Sequence, residues 1–467
     1  MAGDDFDDLD FDDPGPLDVE VGDYGEVELT EDGVARSFTE RYGRLARYDE
    51  DRGRWFWWGQ TAGHWQLQRR GVAFHHCREL IRAASEGEKP QVRAAVRRSG
   101  FMAGVERCLI ADEEHAVMQD VWDRDPMLLG CPGVTIDLRT GEARRPDPED
   151  LISRQAGAAP DDAGDCPTWR RFLDDSMAGN EELVAFLQVL AGYCLTGDTR
   201  EETFAYAHGS GGNGKSTWLG AMLGILGDYG QTAAITTFVE QRHQGHTTEL
   251  AALRGARLVV AEEVGGASVW DEARIKSLTG GGRIRARFMH RDDFEFAPAF
   301  KLLLAGNSVP DLRAVDEAMR RRIILLPFDR RPRVVDDQLK RKLVAEYPGI
   351  LRWAIAGCLE WQERGLRRPD AVVQATESYF EEQDVFGAWI GEVCETGSVH
   401  VLDGLHDTSA ELYASWVAFA GAAGKKPGSS TRFGKELASR GFRRDLTRIG
   451  GRPVKIWRGI RRRGLDL

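Results

Sequence analysis

No stretch of this chain restricts its fold as tightly as residues 203–227, "TFAYAHGSGGNGKSTWLGAMLGILG". Thr203–Ala207 is an apolar run that reads as a buried strand. After the glycines, Trp218, Leu219, Met222, Leu223 and Leu226 recur at helical spacing until Gly227 stops the pattern. A strand that turns through glycine straight into a helix is the opening unit of an α/β sheet. Gly209, Gly214, Lys215 and Ser216 also fit the spacing G-x-x-x-x-G-K-[ST]. Glycines let successive backbone N–H groups turn inward around phosphate, and the helix N-terminus adds positive potential. Gly209, Gly211, Gly212, Asn213, Gly214, Lys215, Ser216 and Thr217 are therefore the expected ATP-binding residues. Lys215 is expected at the β/γ-phosphate oxygens and Ser216 on Mg²⁺.

With 467 residues the chain has room for two to four domains with sizeable cores. It has no run of about 18 apolar residues, so no membrane span is expected. Its seven cysteines include no C-x-x-C pair, which argues for reduced thiols in a cytoplasm and against a zinc ribbon. His75, His76 and Cys77 are neighbours that point different ways on a helix, so they do not form a shared metal site. The net charge of −13 is unevenly placed. Residues 1–32 hold 14 Asp or Glu and no Lys or Arg, which leaves +1 for the remainder. Residues 425–463 hold 14 Lys or Arg against Glu436 and Asp445. This asymmetry points to nucleic acid at the basic end.

The composition divides the chain. Residues 1–34 form an acidic tail too poor in apolar side chains to bury anything. Residues 35–165 read as an N-terminal α+β domain. It contains a hairpin at 54–68 with four tryptophans, which read as core rather than as a base-stacking platform, then helices through 71–125 and a strand–turn–strand at 133–142. A loop at 148–167, rich in Pro, Asp, Gly and Ala, marks its end. Helical patterns at 168–178 and 181–195 form a connector, 166–196. The nucleotide domain follows at 197–330, a helical segment at 331–385 and a basic domain at 386–463.

"RLVVAEE" (257–263) is an apolar strand ending in two carboxylates. ATP hydrolysis needs one acid near Mg²⁺ and one that polarises the attacking water. Neighbours on a strand face opposite ways, so Glu263 is assigned the water and Glu262 the Mg²⁺. "FKLLLAGN" (300–307) ends on Asn307, whose amide suits the nucleophilic water or the γ-phosphate. "DEAMRRRIILLPF" (316–328) puts Arg320, Arg321 and Arg322 before a third strand. They read either as a solvated face or as a finger reaching a neighbour's γ-phosphate, with Arg321 and Arg322 both candidates. "RARFMHRDDFEFAP" (285–298) alternates as two strands with Met289, His290 and Arg291 near the turn.

This order of elements resembles the superfamily 3 helicases of small viruses, phages and plasmids, and in particular their phage/plasmid and poxvirus-type primase-helicase branch. "ARIKSLTGGGRIRARF" (273–288), carrying Lys276, Thr279, Gly280, Gly281 and Arg287, is similar to a motif of that branch. "GVTIDLRTGE" and "FLQVLAGYCLTGDT" resemble its preceding helical domain. Gly282 stands where the family usually has Asp, and Glu262 where its residue is often uncharged. The resemblance implies an α/β fold, with a P-loop AAA+-like ATPase domain in a ring, hexameric by analogy, and ATP sites between subunits. It also implies that the 285–298 hairpin grips one DNA strand in the channel. Arg287 and Arg291 would meet phosphates there, and His290 a phosphate or a sugar. The first 35 residues are too few for the primase domain many relatives carry, so a helicase without its own primase is expected, its partner a separate primase or another replication protein.

The basic end reads independently. Residues 406–421 carry an N-cap at Thr408 or Ser409 and a stripe of Leu412, Trp416 and Phe419. In 430–441, Phe433 and Leu437 face inward and Arg432, Lys435 and Arg440 outward. A hairpin follows, basic on both arms from Arg443 and Arg444 onward and turning at Gly450–Gly451. Helix, basic helix and basic hairpin make a winged helix-turn-helix pattern suited to duplex DNA. The sequence thus points to a ring-forming, ATP-dependent DNA helicase of phage- or plasmid-type replication that translocates on single-stranded DNA. The alternative is a DNA-binding ATPase that loads or positions replication proteins without unwinding.

Overall fold

The apolar runs come together as a five-stranded parallel sheet. Its order is Ile323–Pro327, Phe204–His208, Lys301–Gly306, Leu258–Glu262, Gly230–Thr232. The computed structural model describes residues 27–68, 71–161, 164–240, 248–262, 268–288, 292–313, 316–332, 336–400, 404–450 and 452–464. Alternate side chains of each strand enter two different cores. Ala205, Ala207, Leu258, Val260, Leu303 and Leu326 face one, and Phe204, Tyr206, Val259, Leu302, Leu304 and Leu325 face the other. Burial on both faces is why these strands are apolar throughout rather than alternating.

The first core is closed by helices Pro167–Ser176, Glu181–Leu195, Lys215–Leu226 and Tyr347–Arg364. Two of these meet at glycines. A Cβ on Gly192 would lie 2.0 Å from the Cys358 nitrogen, and one on Gly357 2.0 Å from the Gln188 carbonyl. Only glycine permits so close an approach. Leu129, Cys131, Ile136 and Leu138 are buried in this same core. The expected boundary at 165 and the separate connector 166–196 therefore fall inside one packed body, as does most of the helical segment 331–385.

Two buried cations fasten this body. Arg257 donates to the carbonyls of Leu195 (2.7 Å) and Leu128 (2.6 Å), and Lys301 donates to that of Thr196. Both sit at the C-terminal end of helix Glu181–Leu195, where carbonyls are left unpaired. Burial pushes the Lys301 amine down to about 7.

Residues 27–122 hold a separate core. The hairpin Arg54–Gly59/His64–Leu67 buries all four of its tryptophans, as the core reading requires. Helices Glu31–Tyr42, Val72–Ala84 and Ser99–Ile110 pack against it. The helical pattern expected to 125 ends at Ile110. His115 is fully buried with its Nδ1 3.0 Å from the Ala46 carbonyl, and Trp122 Nε1 donates to Asp49 at 2.9 Å. These contacts draw the chain back across the sheet.

The basic end forms a further core of Trp389, Trp416, Phe433, Leu437 and Trp457. Helices Ser409–Ala422 and Ser430–Ser439 precede the paired strands Arg443–Ile449 and Arg452–Arg458. Thr408 is the N-cap, accepting from the Glu411 nitrogen. A strand that no sequence pattern marks, His406–Thr408, pairs with Arg452–Arg458. Arg440, expected to face solvent, is turned onto Asp384 with two hydrogen bonds of 2.9 and 2.6 Å. Among the described residues no helix is long and apolar enough to cross a membrane.

Candidate active site

In a parallel sheet every strand delivers its last residue to the same edge, where ligands of such folds sit. Here that edge carries Glu262, Gly306 followed by Asn307, and His208 followed by the glycine loop. A cavity of about 860 Å³ opens there. It is lined by Gly211–Thr217, Glu262 and Asn307, and also by Phe172, Ser176, Arg330 and Lys340. The glycine spacing is obligatory. Gly209, Gly212 and Gly214 have φ of 139°, 80° and 95°, and a Cβ on Gly209 would lie 2.1 Å from the Phe328 carbonyl oxygen. Helix Lys215–Leu226 begins immediately afterwards with no side chain capping its first amides. These N–H groups are left for whatever fills the cavity.

Lys215 Nζ donates to the Gly209 carbonyl at 2.7 Å and to Asn213 Oδ1 at 2.9 Å. Burial lowers the affinity of this amine for its proton, and the Glu262 carboxylate partly restores it. Asn213 is itself buried and donates to the Phe328 carbonyl. Ser216 Oγ donates to Glu262 Oε2 at 2.5 Å, so the two residues expected to share a cation are adjacent. Asn307 lies across from the loop, its Oδ1 3.8 Å from where a Cβ on Gly211 would stand. Glu263 lies outside the described residues.

The arginine segment lies beyond the lining of this cavity. Helix Glu317–Arg322 is capped by Asp316, whose Oδ1 accepts from the Met319 nitrogen at 2.7 Å and whose Oδ2 is bound by Lys276. The "ARIK" motif thus holds the start of the arginine helix. Arg322 cannot be the free member of the cluster. It is buried, donating to Glu202 (3.0 Å), Thr279 Oγ1 (3.2 Å) and the Ala318 carbonyl (3.0 Å). Arg320 lies over the Phe380 ring at 4.9 Å. Arg321 is exposed, and its guanidinium has no hydrogen bond or ion pair among the described residues. Arg368 holds the carbonyls on either side, those of Arg321 (2.6 Å) and Ile323 (3.0 Å).

The hairpin expected at 285–298 is present as Ile284–Arg287 and Asp293–Phe296, with Arg287 opposite Asp293. His290 and Arg291 lie outside the described residues. Arg287 is exposed, 3.8 Å from Asp293. At the basic end Lys435, Arg443 and Arg444 are exposed. Arg432 is exposed too, but donates to the Arg313 carbonyl at 3.1 Å, next to Lys425–Asp311 at 2.6 Å. These bonds tie the basic module to the loop that follows Asn307. Sequence reasoning missed Phe172, Ser176, Arg330 and Lys340. Of these only Arg330, just after the last strand, carried a signal.

The D5 N-terminal-like family profile matches residues 35–178, and that of a family of unknown function (DUF5906) matches residues 207–322. A protein of Acanthamoeba polyphaga mimivirus named "Putative helicase" is 26% identical over 295 residues, which is 58% of this chain and 31% of that protein. These matches make the chain similar to the D5-type primase-helicases over residues 35–322. A "Putative helicase" of Frog virus 3 is 24% identical over 222 residues, 43% of this chain and 23% of its own length. The matched segments thus span less than a third of these curated relatives. Among solved structures, the A-form apo C-terminal region of NrS-1 superposes with a TM-score of 0.51. The match covers 92% of this chain and 99% of that one at 9% identity, so what is shared is the fold.

Proposed function

We propose that this chain is an ATP-driven DNA helicase that works as a ring, hexameric by family likeness, in phage- or plasmid-type replication. The observation that carries the reading is the gathering of Lys215, the Ser216–Glu262 pair and Asn307 around one cavity at the carboxyl edge of the sheet. A triphosphate fits the uncapped amides of helix Lys215–Leu226, with Lys215 exchanging its loop partners for phosphate oxygens. The hydroxyl and carboxylate of Ser216 and Glu262 are oxygen donors that suit Mg²⁺, which when bound neutralises charge on those oxygens. Glu263 would orient the attacking water and Asn307 hold it or the γ-phosphate. Arg321, exposed and outside the cavity lining, is the finger offered to a neighbouring subunit. Arg322 is its anchor. The hairpin 284–296 would grip single-stranded DNA and the C-terminal winged helix duplex DNA.

The test is turnover and strand displacement by subunit mixtures. Lys215→Ala should abolish hydrolysis. Arg321→Ala should cut it by about 10³–10⁵ while the protein keeps its melting temperature. Arg322→Ala should instead lower stability by about 1–3 kcal/mol, because it strands the hydrogen-bond partners of a buried guanidinium. Mixed rings of Lys215→Ala and Arg321→Ala subunits should regain some turnover, each supplying what the other lacks. An Arg321→Ala ring that hydrolyses ATP normally would end the finger assignment. DNA-stimulated turnover without displacement would return the chain to a loader.

A further inference from the structure

The hairpin 284–296 has two unlike faces. Arg285, Arg287, Asp293 and Glu295 share the outer one. Arg285 donates to Asp293 through Nε at 3.0 Å, Arg287 lies 3.8 Å from the same carboxylate, and Arg283 lies 3.6 Å from Glu295. Over residues 283–296 the sequence holds four arginines against Asp292, Asp293 and Glu295, a net excess of one. Its attraction for a phosphate backbone is correspondingly weak at a distance. The inner face carries Ile284, Ala286 and Phe296 into the core.

Phe288 continues that apolar row past the end of the core, 39% exposed. It is not a loose side chain. Its ring stacks on Phe294 with centroids 5.3 Å apart and planes 22° apart. Phe294 in turn lies 6.0 Å from Phe296 and has the Arg254 guanidinium 5.0 Å over its ring. The result is a file of rings running from the core to solvent, with its outermost ring held flat.

We infer that Phe288 is a stacking platform for an unpaired nucleobase, so that the hairpin holds its strand by base stacking more than by phosphate charge. This rests on the reading of the hairpin as the strand-gripping element. Stacking tolerates any base, since every base has a π-face, and so suits a strand passed along without sequence preference.

The full chain, with a non-hydrolysable ATP analogue, is titrated with an oligodeoxythymidine and with an abasic strand of equal length. The wild type should prefer the strand with bases by roughly five- to 150-fold, the range of one base–aromatic stack. Phe288→Ala should erase that preference while leaving abasic-strand affinity and sedimentation unchanged, and Phe288→Trp should keep it. If Phe288→Ala retains the preference while Arg287→Glu weakens both strands, the hairpin touches DNA but the ring does not stack, and the inference fails alone. If neither substitution alters binding, the gripping reading fails and takes the inference with it. Equal loss on both strands, or a smaller sedimenting species, would make Phe288 a subunit contact instead.

Discussion

Two hairpins in this molecule are rich in arginine, and they are different objects. In Ile284–Phe296 each described arginine has an acid on or beside the facing strand, and the inner face is part of the core under the parallel sheet. In Arg443–Arg458 six basic residues face the single acid Asp445, and the core beneath is the small separate one. Arg444, Arg448 and Lys455 lie on one face around Leu446, itself 64% exposed, with no ion pair among the described residues. What distinguishes them is whether the cations are already paired. A free cation releases counterions when it meets phosphate, whereas a paired one must first leave its acid. Under the proposed function, the first hairpin would be a mechanical part moved with the parallel sheet, and the second an electrostatic footprint.

The largest effect should come from the second. Replacing Arg444, Arg448 and Lys455 by Gln removes up to three phosphate contacts, which should flatten the plot of log affinity against log salt for duplex DNA by up to about 2.7. ATP hydrolysis without DNA should be unchanged, because the triad is remote from the cavity. Duplex binding by filter retention at several salt concentrations measures it. An unchanged slope would make this module a packed cap, and the contrast between the hairpins would collapse.

A smaller and opposite effect is expected of the first hairpin. Asp293→Asn releases Arg285 and Arg287 together, since both rely on that carboxylate. Single-strand affinity should rise, with a salt slope steeper by up to about 1.4. Unwinding should slow, because a strand held by charge is harder to release at each step. Unaltered affinity and slope would mean that neither arginine reaches the strand.

The charge compensation of the first hairpin is legible in the amino-acid sequence. Period-two alternation places Arg285, Arg287, Asp293 and Glu295 on one face once the turn is fixed near 290. The sheet is legible for a related reason, since strands buried on both faces are short apolar runs closed by chemically distinctive residues such as Glu262 and Asn307. The cap at Thr408 and the glycine loop are legible because the interactions that fix them are local. What is not legible depends on partners distant in sequence. Arg322 is buried through Glu202, 120 residues away. Leu138 belongs to the nucleotide body because Gln362, 224 residues on, donates to its carbonyl. No spacing rule reaches that far. The same holds for Lys425–Asp311, which attaches the basic module beside Asn307.

The smallest expected effect concerns the single acid of the second hairpin. Asp445 accepts from Arg458 Nε at 2.6 Å, and that hydrogen bond holds its carboxyl below the usual range. A carboxyl depressed in the folded state stabilises the fold above its unfolded value near 3.9, and the stabilisation is lost as pH falls through the folded value. The hairpin should therefore keep its protection into mildly acidic solution and lose part of it only below about pH 4. Hydrogen-exchange protection of residues 443–458 at a series of acidic pH values measures this. Asp445→Asn should remove the pH-dependent part, since an amide does not titrate. It should also remove one acid paired with Arg458 and steepen the duplex salt slope by no more than about 0.9. That is the reverse of the triple Gln replacement and about a third of its size. If Asp445→Asn steepened the slope as much as that replacement flattens it, one paired arginine would match three free ones. The distinction between paired and unpaired cations would then no longer separate the two hairpins.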